Sequence, residues 1–323
     1  MNKPALHLLL RAPNWLGDVI MAQPAMRAIA IGLSPQRVFL AGQPWLADLL
    51  PFLQLPGGEF HSPNCAADTA ILFPNSFRAA WEAWRAGISK RIGFAGQWRS
   101  LLLTDAYRPR VRLSTEHHRS YYLDLAEQMG ISIPDREVRL RIPEGESYAG
   151  SNSIKGYGLN PDKTICLAPG SQFGGAKRYL TSGFAKVVAS LVEAGWQPLV
   201  LGTPQERDIG EQCLHGISAP SFNGAGRTSL RQALQILSAS RLLVSNDSGL
   251  MHVAAGMDLP VVAIFGATDP ARTSPSGKHV RLLYQPADCS PCLQRECKIE
   301  GHPCMANIAP ESVLDACLSL LGQ

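Results

Sequence analysis

The chain has 323 residues, a length that suits two domains of ordinary size, each able to bury its own core. Apolar residues make up 46% and charged residues 17%, a globular composition that excludes a largely disordered chain. The net charge of +4 is too small and scattered to indicate nucleic-acid binding, although it suits an anionic ligand or membrane surface.

The N-terminal segment lacks the cleavage site of a signal peptide and is predicted to form a first strand. No apolar run reaches the roughly 20 residues of a membrane-spanning helix. We therefore expect a cytoplasmic protein whose eight cysteines are reduced.

Strands and helices are predicted to alternate through a first domain that spans residues 1–150. A strand over 6–11 leads through a loop at 12–18 into an apolar helix over 19–31. The further predicted elements are strands at 37–41, 69–73 and 90–94 and helices at 75–85 and 119–129. Beyond residue 131 the pattern breaks down into charged sequence with Pro and Gly, which predicts a linker with a hinge near 145–162.

The alternation resumes in a predicted second domain, residues 151–323. Its predicted elements are strands at 164–168, 197–201, 241–245 and 260–265 and helices at 181–194, 204–214, 229–238 and 310–321. Two such series predict an α/β fold of two doubly wound, Rossmann-like sheets that face a central cleft. Ligands of these sheets bind beyond the carboxyl ends of the strands, so we expect the site in that cleft.

A buried strand at 242–244 is predicted to run straight into a helix. Ser248 and Gly249 would then leave backbone N–H groups free at the helix start, where an anion such as a diphosphate can bind. His252 lies one turn further on the same face, and Asp247 precedes the helix. The alternative interpretation is an ordinary capped turn between a strand and a helix.

The loop PGSQFGGAKR at 169–178 also lies between a predicted strand and a predicted helix. Its three glycines allow close backbone approach, and Lys177 can reach a phosphate as a point charge. The spacing excludes a Walker A loop. A flexible connection with a solvated basic pair is the alternative.

Two carboxylates stand at similar junctions. Asp18 is either a helix cap or, if it faces the cleft, an acceptor for the proton of an incoming hydroxyl. Glu206 either accepts hydrogen bonds from a ribose or interacts with the dipole of its helix.

Four motifs together resemble those of the ADP-heptose:lipopolysaccharide heptosyltransferases, glycosyltransferase family 9, and are most similar to its heptosyltransferase II branch. They are NWLGD at 14–18, PNSF at 74–77, PGSQFGGAKR at 169–178 and NDSGLMH at 246–252. The resemblance covers essentially the whole chain in the right order. It implies a GT-B fold and an inverting transfer, without a catalytic metal, of L-glycero-D-manno-heptose from ADP-heptose.

The implied acceptor is the inner-core heptose of nascent lipopolysaccharide, on a heptosyl-Kdo2-lipid A at the cytoplasmic face of the inner membrane. The resemblance thus implies a peripheral membrane enzyme, which we expect to be a monomer. By motif, Asp18 would be the general base and Lys177 would stabilise the departing diphosphate. The implied donor-binding residues are Ser171, Gln172, Lys177, Glu206, Asp247, Ser248, Gly249 and His252. The implied acceptor-binding residues are Asn14, Trp15, Asn75 and Ser76.

Two positions depart from the family pattern. The family often has an acidic residue where Gln172 stands, and Trp-Pro where Tyr179 and Leu180 stand. A transferase of the same family that uses another nucleotide-activated sugar is therefore an alternative, and a non-catalytic binding or scaffold protein is a second one.

Seven basic residues of the first domain are candidates for a face that binds phosphorylated inner core and lipid A. The alternative is that they form an ordinary solvated surface. They are Arg78, Lys90, Arg91, Arg99, His117, His118 and Arg119.

Four cysteines lie within sixteen residues, at Cys289, Cys292, Cys297 and Cys304. In a reducing compartment such a group suits a tetrahedral structural zinc site. Free or oxidisable thiols are the alternative, and no catalytic role is expected of them.

Overall fold

A computed structural model describes residues 6–63 and 65–323. The chain divides into two compact units, the first ending at Arg141 and the second spanning Ile142–Gln323. The start of the predicted first domain, residues 1–5, and the beginning of the segment considered as a signal peptide lie outside the described residues.

The first unit is a parallel sheet flanked by helices. Its elements are β1 (His7–Arg11), α1 (Leu16–Leu33), β2 (Arg37–Ala41), α2 (Leu46–Leu49), β3 (Gly58–Phe60), β4 (Thr69–Leu72), α3 (Phe77–Arg85), β5 (Lys90–Phe94), β6 (Asp105–Tyr107) and α4 (His118–Gln128). The strands pair in the order β3-β2-β1-β4-β5-β6. The inner strands are apolar because both faces of the sheet are covered, and Leu8, Leu9 and Leu10 of β1 are at most 1% exposed.

The second unit repeats this arrangement. Its elements are α5 (Glu146–Gly156), β7 (Thr164–Ala168), α6 (Thr181–Glu193), β8 (Gln197–Val200), α7 (Arg207–Cys213), β9 (Phe222–Asn223), α8 (Leu230–Ser238), β10 (Leu242–Asn246), α9 (Gly249–Gly256), β11 (Val261–Phe265), α10 (Pro270–Thr273), β12 (Val280–Tyr284), α11 (Pro303–Ala306) and α12 (Pro310–Leu321). Its strand order is β12-β11-β10-β7-β8-β9, again wholly parallel.

Both sheets therefore have the Rossmann order, which confirms the predicted fold class. In each sheet the first three strands are added successively toward one edge. The chain then returns to the other side of the first strand, and the remaining three strands are added toward the opposite edge. The strands on either side of this reversal are β1 and β4 in the first unit, and β7 and β10 in the second. Crevices at such reversals are the usual ligand sites of these folds.

The two compact units divide between Arg141 and Ile142, whereas the sequence analysis places the boundary after residue 150. The segment 145–162, where a hinge is predicted, contains the packed helix α5, and the hinge stays a prediction. In α5, Glu146 Oε1 lies 2.5 Å from Arg231 Nη2, and its Oε2 accepts a hydrogen bond from Gln235 at 2.7 Å. Gly150 lies so close to α8 that an added Cβ would stand 1.9 Å from the carbonyl oxygen of Gln235. The helix therefore belongs to the second unit.

One helix of the described residues, α1, is long and apolar enough to cross a membrane by length and composition, contrary to our expectation from the sequence. However, 61% of this apolar helix is buried inside the protein, and the helix packs against α4. Burial in the core of the first unit accounts for its composition.

Candidate active site

The carboxyl ends of β7 and β10 hold the Gly-rich loop in place through one amide side chain. Asn246, the last residue of β10, is fully buried. Its Nδ2 donates to the carbonyl oxygen of Pro169 at 2.6 Å, and its Oδ1 accepts from the backbone N–H of Tyr179 at 2.9 Å. Asn246 thus fixes both ends of the loop 169–178, a role that the sequence pattern did not reveal.

Lys177 and Asp247 form the charged centre of this site. Lys177 Nζ lies 2.5 Å from Asp247 Oδ2, and both side chains are largely buried. The same oxygen accepts a hydrogen bond from Thr268 at 2.6 Å. The ammonium also lies 4.8 Å from the ring centre of Phe173, in cation–π contact. The two predicted donor-binding residues are therefore brought together, with Thr268 and Phe173 as partners that were not predicted.

The start of α9 follows β10 directly, at the place where the sequence analysis predicts an anion site. Ser248 is the N-cap residue, but its side chain makes no capping hydrogen bond. Its hydroxyl instead lies 2.9 Å from that of Ser245. Ser248 therefore does not cap the backbone N–H groups in the first turn of α9. His252 follows in the first turn and is only 4% exposed.

Glu206 forms a capping box with Thr203 at the start of its helical segment, and its predicted contact with a ribose stays a prediction. Its Oε2 accepts from the backbone N–H of Thr203 at 2.8 Å and from the Thr203 hydroxyl at 2.9 Å. Its Oε1 lies against Gly170, where an added Cβ would stand 2.0 Å away. Glycine at 170 is thus required by the close approach of this carboxylate, which places Glu206 beside the loop after β7.

Ser171 and Gln172 differ in exposure although they are adjacent. Ser171 is 3% exposed, and its carbonyl oxygen accepts from Arg178 at 3.3 Å. Gln172 is exposed. Of this pair, only Gln172 presents its side chain to solvent.

The Cys-rich segment braces the Gly-rich loop. The backbone N–H of Ala176 donates to the carbonyl oxygen of Arg295 at 2.9 Å, and the N–H of Gly175 donates to Glu296 at 3.1 Å. His302 Nε2 lies 3.0 Å from the carbonyl oxygen of Ala176. Gly174 has a φ of +153° and packs against Arg295 so closely that an added Cβ would meet its carbonyl oxygen. The segment therefore supports the short turn that carries Lys177.

The four clustered cysteines find no support as a zinc site. Among residues 6–63 and 65–323, no three or more His, Cys, Asp or Glu side chains are grouped so that they could hold a metal ion. Burial and the neighbouring thiols raise the pKa of Cys304. The zinc site stays a prediction.

In the first unit, Asp18 lies in the first turn of α1 and faces α4. Its Oδ1 lies 3.9 Å from His118 Nδ1, and its side chain is 27% exposed. The Tyr122 hydroxyl forms a hydrogen bond with the Asp18 carboxylate. Burial, followed by the negative charge of Asp18, raises the pKa of Tyr122 well above its ordinary value. Tyr122 therefore stays protonated and donates to the carboxylate.

A cavity of about 640 Å³ opens beside the ends of β1 and β4. Two of the four predicted acceptor-binding residues, Asn14 and Ser76, line it, whereas Trp15 and Asn75 do not. Its full lining is Arg11, Asn14, Gly42, Gln43, Pro63, Ser76, Arg78, Ala79, Trp81, Glu82 and Arg85. The three arginines outnumber the single carboxylate of Glu82, so the cavity suits an anionic ligand.

The basic face predicted from the sequence is only partly present. Arg99 is fully buried, and Arg91 donates to the carbonyl oxygen of Leu102 at 2.6 Å. Arg119 pairs with Glu137. These arginines hold the structure together, which is why their charges are not displayed as one surface.

The fold and these sites define a class of protein. Two wholly parallel, Rossmann-like units are the architecture of GT-B glycosyltransferases. The sequence profile of glycosyltransferase family 9 (heptosyltransferase) matches residues 63–302. The chain belongs to this family, and it is a glycosyltransferase.

Individual relatives agree with this assignment over nearly the whole chain. Lipopolysaccharide heptosyltransferase 2 of Salmonella typhimurium is 28% identical, over 98% of this chain and 99% of its own. The structure of Escherichia coli ADP-heptose lipopolysaccharide heptosyltransferase II matches with a TM-score of 0.83 and 27% identity, over 98% and 99% of the two chains. E. coli heptosyltransferase WaaC with ADP shares the fold, with a TM-score of 0.72 and 14% identity over 98% and 100% of the two chains.

Proposed function

We propose that this protein transfers L-glycero-D-manno-heptose from ADP-heptose to the inner-core heptose of nascent lipopolysaccharide. The observation that carries the proposal is the Lys177–Asp247 pair beside the uncapped start of α9. Lys177, once a diphosphate competes with Asp247 for it, and the backbone N–H groups at the helix start are suited to hold that diphosphate. The names of relatives that match over their full length support a heptose as the sugar and lipopolysaccharide as the acceptor class.

The second unit would stabilise the leaving group. Negative charge develops on the diphosphate as the bond from its oxygen to the anomeric carbon breaks. Lys177 would neutralise that charge, and the N–H groups at Gly249 and beyond would bind the phosphate oxygens. Ser248, Asp247 and His252 would contact the phosphate or the heptose, while Glu206 would lie near the adenosine ribose.

The first unit would activate the acceptor. Asp18 would take the proton of the attacking hydroxyl while that oxygen bonds to the anomeric carbon and ADP departs. A single displacement of this kind inverts the configuration at the anomeric carbon. Because Lys177 and the start of α9 supply the positive charge, we propose that no metal is required, and we expect the rate to be unchanged by EDTA.

The arginine-lined cavity would receive the anionic sugars of the acceptor. Asn14 and Ser76 would hydrogen-bond the sugar hydroxyls, and Arg78 and Arg85 would pair with carboxylate or phosphate groups. We propose that the enzyme acts at the cytoplasmic face of the inner membrane, because its proposed acceptor is lipid-linked. We also propose that it acts as a monomer.

A thermal-shift screen of ADP- and UDP-sugars tests the donor. A ligand that binds the folded state raises the melting temperature, and we expect ADP-heptose to give the largest increase. A larger increase with another donor would support the alternative of a different nucleotide-activated sugar, which the exposed Gln172 in the Gly-rich loop favours. No response across the panel would contradict the proposed function.

The Asp18→Ala variant tests the base. We expect it to abolish transfer and to leave ADP-heptose binding nearly intact, because Asp18 acts on the acceptor. The matched control is Asp48→Ala, since Asp48 also lies in the first turn of a helix of the first unit. An active Asp18→Ala enzyme would contradict the assignment of Asp18 as the general base. Loss of ADP-heptose binding in this variant would indicate that Asp18 acts in donor binding instead.

A further inference from the structure

Helix α3 has small residues on its buried side and large aromatic residues on its exposed side. Ala79, Ala80 and Ala83 are at most 2% exposed and pack into the first unit. Phe77, Trp81 and Trp84 are spaced along one face of the helix and are 39–52% exposed. This is the reverse of the usual amphipathic pattern, in which the large apolar side chains face the core.

A second pair of apolar side chains is displayed on the neighbouring turn. Trp98 and Leu101 are each 83% exposed, and they belong to the short helical turn that packs beside α3. Gln97 and Trp98 have φ values of +49° and +62°. Such left-handed backbone is uncommon for residues other than glycine and persists only where the surroundings hold it.

Arg99 is what holds this turn. Its fully buried guanidinium donates to the carbonyl oxygen of Pro74, and also to that of Leu72 at 3.3 Å. Gly93 leaves room for it, since an added Cβ would stand 2.4 Å from Arg99 Nη2. A buried arginine therefore fixes the turn so that the side chains on either side of it point into solvent.

Three cationic side chains lie on α3 or at the start of the strand that follows it. Arg78 and Arg85 lie on α3, and Lys90 is exposed at the start of β5. The guanidinium of Arg85 stacks 5.2 Å from the ring centre of Trp81. The one carboxylate on α3, Glu82, is matched by Arg78 at 2.8 Å and by Arg11 at 3.6 Å.

We propose that Phe77, Trp81, Trp84, Trp98 and Leu101, which we name the docking patch, bind an anionic phospholipid bilayer. Tryptophan and arginine side chains are suited to the boundary between headgroups and acyl chains, where one part is apolar and the other is polar or charged. Neighbouring cations add attraction to anionic headgroups. Charge complementarity therefore favours a bilayer over an apolar protein partner.

The inference rests on the proposed function for its biological sense, because the proposed acceptor is anchored in lipid. Trp81, Arg78 and Arg85 also line the arginine-rich cavity. Docking through the patch would thus hold the entrance of that cavity near the headgroups, where the sugars of a lipid-linked acceptor lie.

Sedimentation with vesicles tests the patch. We expect the wild-type protein to sediment with vesicles of phosphatidylethanolamine and phosphatidylglycerol, and much less with phosphatidylcholine alone. The variant Trp84→Ser/Trp98→Ser/Leu101→Ser should bind the anionic vesicles about tenfold or more weakly, because it removes three apolar side chains from lipid. None of these three residues lines the cavity.

Tyr148→Ser is the matched control, since Tyr148 is a 73% exposed aromatic residue of the second unit. It should bind vesicles like the wild type, and the melting temperatures of both variants should show that they fold. Absence of vesicle binding, or equal binding by the triple variant, would overturn the inference. So would a wild-type dimer that the triple variant converts to a monomer, because the patch would then be a protein interface.

Transfer to a deacylated acceptor, without vesicles, separates this inference from the proposed function. The triple variant should retain wild-type transfer in that assay. If the wild-type protein transfers the sugar but does not bind vesicles, only the proposed role of the docking patch is contradicted. If it binds vesicles but transfers no sugar, only the proposed function is contradicted.

Discussion

The ammonium group of Lys177 lies 2.5 Å from the carboxylate of Asp247, which also accepts a hydrogen bond from Thr268. The charge that would bind a diphosphate is therefore already matched inside the protein. An incoming diphosphate must compete with Asp247 for this lysine, so its binding depends on the balance of two charge-assisted contacts.

Removing the charge of Lys177 should weaken nucleotide binding. We expect Lys177→Gln to reduce the affinity for ADP about 10- to 100-fold, because one charge-assisted hydrogen bond to the diphosphate is lost. Isothermal titration calorimetry measures this change. The control Lys186→Gln, an exposed lysine on α6, should bind ADP like the wild type. Equal affinity in both variants would contradict the assignment.

The Tyr122 hydroxyl should position Asp18. Its contact with the Asp18 carboxylate restricts the orientation of that group, so Tyr122→Phe should leave the proposed base less well placed. We expect kcat to fall about tenfold, with little change in KM for ADP-heptose.

Tyr121→Phe provides the comparison for this variant. Tyr121 is also buried, and burial raises its pKa to about 12, but Asp18 is not among the charges that act on it. Its kcat should stay close to that of the wild type. An equal loss of activity in both variants, or a loss in Tyr122→Phe that comes with a lower melting temperature, would indicate a purely structural role.

Glu146 should stabilise the second unit in a pH-dependent manner. Hydrogen bonding by Arg231 lowers the pKa of Glu146 below its ordinary value of 4.5. The stabilisation is therefore present above that value and is lost as the pH falls through the lower pKa of the folded state. Glu146→Gln should lower the free energy of unfolding by about 1–2 kcal/mol near pH 7, as measured in urea. The difference from wild type should shrink in acid, and a constant difference would exclude this contribution.

The cysteines should divide into two classes of reactivity. Burial raises the pKa of Cys166, Cys213 and Cys317 to about 12. It also raises the pKa of Cys65 and Cys304. We expect the remaining three thiols to react with a disulfide reagent in the native protein, without a chelator, because they are partly exposed whereas the other five are buried. The metal site would be favoured instead if these three thiols reacted only after a chelator was added and elemental analysis found bound zinc.

The sequence predicted the inner strands and the loops between them well, because buried parallel strands are short apolar runs. Residues 37–41, 90–94 and 164–168 form strands with the predicted bounds. Outer strands such as β3 and β12 were missed, since their exposed residues interrupt that pattern. Helix α5 was missed because it has few apolar residues and depends on contacts with α8.

The candidate residues at the strand ends could be found because each of these loops follows a recognisable strand. Their partners could not. Tyr122 reaches Asp18 only because α4 packs against α1, and Thr268 reaches Asp247 only because β11 pairs with β10. Such contacts join residues far apart in the chain, and no local spacing encodes them.

The bracing of the Gly-rich loop by the Cys-rich segment has a practical consequence. Arg295 and Glu296 hold the amides of Ala176 and Gly175, and Cys297 follows directly along the chain. In a Cys289→Ser/Cys292→Ser variant, a fluorophore attached to Cys297 would lie behind the turn that carries Lys177. Its emission would then report nucleotide occupancy from outside the pocket, and it would give a real-time sensor for inhibitor discovery.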